Sequence, residues 1–264
     1  MGKKTTFADV KGDLVTLQRL LSKYFAENIL NVQGIEKAIT QLTQTRNGKL
    51  CFEDAKLEFI NLNLGKDIRP ILDSEQYNTT VLELRFTKLE WFSYPSQPIN
   101  DPINNFELQL ILKIKDTEKL LAKSAWHFEK HPDKKDDGTP EATPEFHHPL
   151  YHLHFGGYEL TDDEDIEYGN IMVIEAPRIM HPPLDMVLAI DFVLNNFYSC
   201  QSFMGLISEP DYIRIVRNAR ERFWKPFAFG FASNFTTNHN FRSESQVSVV
   251  STYAKNLITY SETH

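Results

Sequence analysis

Apolar residues recur at helical spacing through the first 48 positions of the chain. Leu14, Leu17, Leu20, Leu21, Tyr24 and Phe25 form one stripe flanked by Lys and Glu, the pattern of an amphipathic helix that buries one face. Ile35, Ile39 and Leu42 mark a second, shorter helix. Asn47-Gly48 reads as its end. From about residue 50 the period changes to two. Leu57 and Phe59 alternate with polar neighbours, and Leu82, Leu84 and Phe86 alternate with Glu83, Arg85 and Thr87. The clearest strand carries Phe106, Leu108, Leu110, Leu112 and Ile114 opposite Glu107, Gln109, Lys113 and Lys115. Alternation of this kind belongs to strands with one buried face, as in antiparallel sheets. Further strands are expected over 124–130, 150–158 and 170–176.

Two stretches break the pattern. Residues 131–149 hold four prolines among charged residues and read as a long mobile hairpin loop. Thr161–Glu167 is a second, acidic loop. Helical spacing returns after Pro177. His181-Pro182-Pro183 reads as a helix start, and the apolar residues from Leu184 to Phe197 predict a largely buried helix. Ser208 to Asp211 reads as a capping box opening a helix that runs to Trp224 and stops at Pro226. Phe227–Ala232 fits strand and helix equally, and 246–260 is a final strand or helix. The order is helices, strands, helices. It predicts an α+β fold in one domain over 1–264: 1–48 helical, a mostly antiparallel sheet of about five to seven strands within 50–178, and 181–264 mainly helical.

Composition narrows the function classes. The 264 residues carry 28 Lys+Arg and 36 Asp+Glu, a formal net charge of −8, so phosphate-backbone binding would need a local basic patch. The 11 glycines are about 4%, against a usual ~7%. No phosphate-cradling glycine loop is present, and no nucleophile elbow or zinc-binding helix motif. Cys51 and Cys200 make neither a disulfide framework nor a zinc pattern. No apolar run spans a membrane and no secretory leader is recognisable, so a cytoplasmic location is expected. Met1-Gly2-Lys3-Lys4-Thr5-Thr6 matches the myristoylation pattern, and a solvated polar terminus is the simpler reading.

Candidate chemistry gathers in the histidines, seven of nine of which fall between residues 127 and 181. His127, Glu129 and His131 alternate along one predicted strand, and His152 and His154 along the next. Each set therefore lies on one sheet face. If the two strands pair, the sets lie side by side, close enough to hold a divalent metal such as zinc or iron. A polar outer face without a site has the same pattern. Gly156-Gly157, just beyond, can mark a bulge or a close approach. His152-Leu-His154 followed by Glu159 resembles the first metal motif of cupins. The resemblance covers those eight residues, without the upstream glycine or a second motif. It implies a metal held by this trio.

Two further constellations stand out. Asp191 lies among the apolar residues of the helix expected to be buried, so it needs a partner. Arg178 or an arginine of the later helix would serve in a structural ion pair. Arg214, Arg217 and Arg220 at three-residue spacing, with Trp224, form a basic stripe. Within 214–225 it would touch nucleic acid or an acidic partner, or simply be solvated. With no reaction motif and many aromatics, the first functional expectation is a partner-binding or regulatory protein, acting with a protein partner or as a homo-oligomer. The alternatives are a metal-dependent hydrolase or oxygenase on the histidine-rich face, and a nucleic-acid-associated factor using the arginines.

Overall fold

The computed structural model describes residues 7–43, 49–64, 79–92, 103–116, 119–130, 149–156, 160 and 178–233. The fold is α+β. Seven strands form one antiparallel sheet: β1 (Ile29–Asn31), β2 (Lys49–Phe59), β3 (Thr79–Phe92), β4 (Ile103–Asp116), β5 (Lys119–Lys130), β6 (Tyr151–Phe155) and β7 (Ile179–Met180). Each pairs only with its neighbours in sequence, in the order β1 to β7. Helices lie before β1, between β1 and β2, and after β7. They are α1 (Phe7–Tyr24), α2 (Gln33–Thr43), α3 (Met186–Phe197), α4 (Cys200–Ile207), α5 (Pro210–Ala219) and α6 (Lys225–Ser233), with a π-helical segment, Arg220–Trp224, between α5 and α6. No helix among the described residues is long and apolar enough to cross a membrane.

The alternation read in the sequence sets which side each residue takes. Leu84 pairs with Leu110, and Leu110 with Trp126, so their side chains share one face. The helices pack on that face. Trp91 meets Phe223, Trp126 meets Phe197, Phe128 meets Phe192, and Tyr151 meets Phe227, all edge-on with ring centroids 5.4–6.2 Å apart. Such aromatic pairs add about 0.5–1.5 kcal/mol each beyond their buried area. One hydrophobic cluster runs from Val10 in α1 through the strands to Phe223.

The helical layer is tied together by buried charge. Arg222, in the π-helical segment, reaches Asp13 of α1 at 2.6 Å and Asp185 at 3.5 Å. Asp185 caps α3 by accepting from the Leu188 amide at 2.9 Å. Removing one partner of such a buried pair strands the other charge and costs about 3–5 kcal/mol.

Several local expectations are corrected. Helix α3 begins at Met186 with Asp185 as its cap, not at the His181-Pro182-Pro183 run. The start lies later in the chain than expected because the Asp185 carboxylate can accept a free amide, which proline rings cannot. The capping box at Ser208 does not form. Glu209 is the N-cap, without a side-chain bond, and Asp211 instead takes Arg19 at 2.7 Å. The helix does not stop at Pro226. The wider π turn precedes it, and α6 continues through Phe227 to Ser233. The extra residue in a π turn accommodates an imino acid that has no amide to give. Strand β1 was not expected, because three residues are too short to show a period. The expected strand 170–176, the loops at 131–148 and 161–167, Asn47-Gly48 and the segment 246–260 lie outside the described residues.

Gly34 has a packing role. A Cβ there would overlap the Lys56 carbonyl and stand 2.9 Å from the Lys56 amide nitrogen. Helix α2 therefore lies directly on the β2 backbone. Gly34→Ala should destabilise the protein by about 1–3 kcal/mol, the usual cost of overpacking. Urea unfolding checks this, and an unchanged midpoint would refute it.

Candidate metal centre

The two histidine-bearing strands are neighbours in register. His127 is paired with His154, and Glu129 with His152. Because Trp126, Phe128, Tyr151 and Leu153 turn towards the helices, period two sends the four polar side chains to the opposite face. There they meet. His154 Nε2 lies 3.1 Å from His127 Nδ1. Glu129 Oε1 lies 2.8 Å from His152 Nε2 and 3.9 Å from His154 Nε2. Ligand atoms of His127, Glu129 and His154, one from each, lie within 4.8 Å of one another. Gly156 closes the strand with φ of 99°, a left-handed conformation that favours glycine, and its amide donates to Ala125 O at 3.0 Å.

His152 and His154 are buried and His127 and Glu129 half-buried, so the hydrogen bonds of the cluster can be counted. His152 is flanked by two acceptors, the Pro149 carbonyl at 3.0 Å and the Glu129 carboxylate. His127 Nε2 and His154 Nδ1 make no hydrogen bond among the described residues. His127 Nε2 stands 3.5 Å from Glu107 Oε1 and 3.8 Å from Glu129 Oε2. Burial raises the Glu129 pKa, but the His152 hydrogen bond and the surrounding imidazoles outweigh it and hold the carboxyl down at about 2. Burial and the neighbouring His127 push His154 down to about 4. At neutral pH the centre therefore combines an ionised carboxylate with a neutral imidazole, the states that bind metal.

The same face carries a feature that the alternation alone did not reveal. Glu83 is 1% exposed. It is bound by Lys56 and Lys113, each at 3.0 Å, and by Arg85 Nε at 2.7 Å. Burial opposes ionisation, yet these three cations bring the Glu83 carboxyl down to about 2. Its row neighbour Ile111 is fully buried, a break in polar alternation that marks this part of the face as covered.

The remaining predicted site residues are scattered. His131 and Glu159 lie outside the described residues, and of the trio implied by the cupin resemblance only His152 and His154 are described. The sequential sheet also differs from the two Greek keys of a cupin jelly roll. Asp191 is held by Arg220 at 3.1 Å and by the Tyr212 hydroxyl at 3.1 Å. Arg178 lies elsewhere, close enough for its charge to act on His154. In the arginine stripe, Arg214 binds Asp13 and Asp211 at 3.3 Å. Arg220 binds Asp191 and stacks over Trp224, whose indole donates to Pro183 O at 2.9 Å. Arg217 is exposed. Asp13 and Arg222 were not anticipated. The available signal was Asp13 lying on the same helical stripe as Val10 and Leu17.

Comparison of the chain with protein families, curated proteins and solved structures finds no match.

These shifts make acid stability a test of the geometry. Glu83 and Glu129 have folded values of about 2 against ordinary values of 4.5. Their contribution is present above 4.5 and is lost as pH falls towards 2. His154, depressed from 6.5 to about 4, costs stability through the window below 6.5, where the unfolded chain takes up a proton more readily. The urea midpoint should fall from pH 6.5 downwards and more steeply below 4.5. Glu83→Gln should lower it at neutral pH by about 1–3 kcal/mol and flatten the steeper part. A midpoint constant over that range would contradict the arrangement.

Proposed function

We propose that the protein binds a divalent metal, zinc or iron, through His127, Glu129 and His154, and uses it for hydrolytic or oxygen-dependent chemistry at the histidine-rich sheet face. The observation that carries this reading is the convergence of one ligand atom each from His127, Glu129 and His154, all within 4.8 Å of one another. Metal–ligand bonds of 2.0–2.2 Å place tetrahedral ligand atoms roughly 3.3–3.5 Å apart. The separations of 3.1 and 3.9 Å at His154 bracket that value. Two imidazoles and one carboxylate leave coordination positions for water or substrate, as in zinc hydrolases and non-haem iron oxygenases. The metal would lower the pKa of bound water or hold dioxygen. His152, bound to Glu129 Oε1, would fix the carboxylate from outside the ligand set.

Purified full-length protein, stripped with chelator and reloaded separately with zinc and iron(II), should retain about one equivalent of metal by elemental analysis. His154→Ala and His127→Ala should each weaken binding by well over tenfold, and His152→Asn by about 10–100-fold. Retention below about 0.1 equivalents after reloading would reject the reading.

A second reading, association with another copy of the chain, is favoured by the sheet edge. Phe155 and Ile179, on β6 and β7, are 49% and 59% exposed, and β7 is the terminal strand of the sheet among the described residues. Edge strands of this kind are templates for pairing. Sedimentation of the wild type against Ile179→Lys separates a dimer from a monomer, and a wild-type monomer at all concentrations would dismiss it.

A further inference from the structure

The ligand set of His127, Glu129 and His154 leaves one nitrogen of His127 to be accounted for. In that set His127 offers Nδ1, the atom 3.1 Å from His154 Nε2. Its other ring nitrogen, Nε2, then turns away from the metal. A neutral imidazole carries one proton, and only the nitrogen without it has a lone pair for a metal. Whatever faces Nε2 therefore decides whether Nδ1 can serve as the ligand.

Two carboxylates face it. Glu107 Oε1 lies at 3.5 Å and Glu129 Oε2 at 3.8 Å. The register explains the first. Gln109 of β4 pairs with His127, and Glu107 with Glu129. Glu107 is thus on the same face as His127 and diagonal to it, a spacing of about 7–8 Å that a long side chain crosses. Glu129 is already committed, through Oε1, to His152 at 2.8 Å and to the ligand set itself. Glu107 has no other ion pair among the described residues. An ionised carboxylate accepts and cannot donate, so these oxygens favour the form of His127 with its proton on Nε2 and its lone pair on Nδ1. His154 has no such counterpart, because its Nδ1 is buried without a hydrogen bond among the described residues.

We propose that Glu107 is a positioning residue of the centre: its carboxylate holds the His127 proton on Nε2 and so presents Nδ1 to the metal. The inference rests on the metal reading above, and the experiment separates the two. Chelator-stripped full-length protein, wild type and Glu107→Ala, is studied at about pH 8, where an ordinary imidazole is neutral. Long-range nitrogen–proton spectra read which ring nitrogen of His127 holds the proton, and titration with zinc reads the affinity. The wild type should carry the proton on Nε2 before and after zinc is added. Glu107→Ala should move a measurable share of it to Nδ1 and weaken zinc binding by about 10–100-fold, the usual effect of losing such a partner. The wild-type spectrum tests the assignment without any variant. A wild-type His127 protonated on Nδ1 overturns the inference, as does a Glu107→Ala protein unchanged in either tautomer or affinity. Wild-type protein that takes up no zinc overturns the metal reading itself, and the inference falls with it.

Discussion

In a pleated sheet each residue must take one face or the other, and here the cross-strand registers of β3, β4, β5 and β6 make that choice for the whole molecule. Leu84, Leu110 and Trp126 stand opposite one another and turn to the helices. Arg85, Gln109, His127 and His154 form the adjacent row and turn away. A slip of one residue would exchange the two rows. It would expose a set of apolar side chains worth about 1.5–3 kcal/mol each when buried, and would drive arginine and imidazole into the helix interface. The geometry of the histidine cluster is thus set by hydrophobic burial on the opposite face. The cluster itself contributes little to fixing the register.

The polar face solves its own burial problem in two contrasting ways. At Glu83 a single carboxylate meets three cations, each reaching it along an aliphatic stem that keeps part of the side chain in water. The group is over-satisfied, as a structural anchor should be. Two strands further on, a single carboxylate, Glu129, serves three imidazoles. His152 takes the short bond, while His127 Nε2 and His154 Nδ1 are left without hydrogen bonds. Buried polar atoms are normally paired. The shortfall at the second centre distinguishes it from the first, although both carboxylates are held at a similarly low pKa.

The strands, their alternation and the helix–sheet–helix order were legible because period two and period 3.6 survive in the sequence wherever one face is apolar. The pairing of His127 with His154 was legible only conditionally. Alternation gave each set its face, but the adjacency of β5 and β6 depended on the chain doubling back. Ends of elements were less legible. Asp185, Glu209 and the π turn before Pro226 depend on which amides are left free, and many residues satisfy that locally. The partner of Asp191 was ambiguous because ion pairs are decided by tertiary approach. Arg220 wins by lying on a helix that packs against α3. Glu83 was read as an ordinary outward-facing charge. Its burial follows from the neighbours Lys56 and Lys113, contributed by other strands.

The strictly sequential strand order has a consequence for synthesis. Among the described residues every strand pairing is between neighbours in the chain, so the sheet can assemble hairpin by hairpin as it emerges. The helices that cover Trp91, Trp126, Phe128 and Tyr151 come later, from residues 186–233. That stretch takes about 2–10 s to translate at roughly 5–20 residues per second. During those seconds a completed sheet presents a bare aromatic face, with α1 still lacking the Arg222 clamp that joins it to the end of the helical layer. For this protein the hazardous interval lies between the last strand and the last helix, and that is where a chaperone would compete with aggregation.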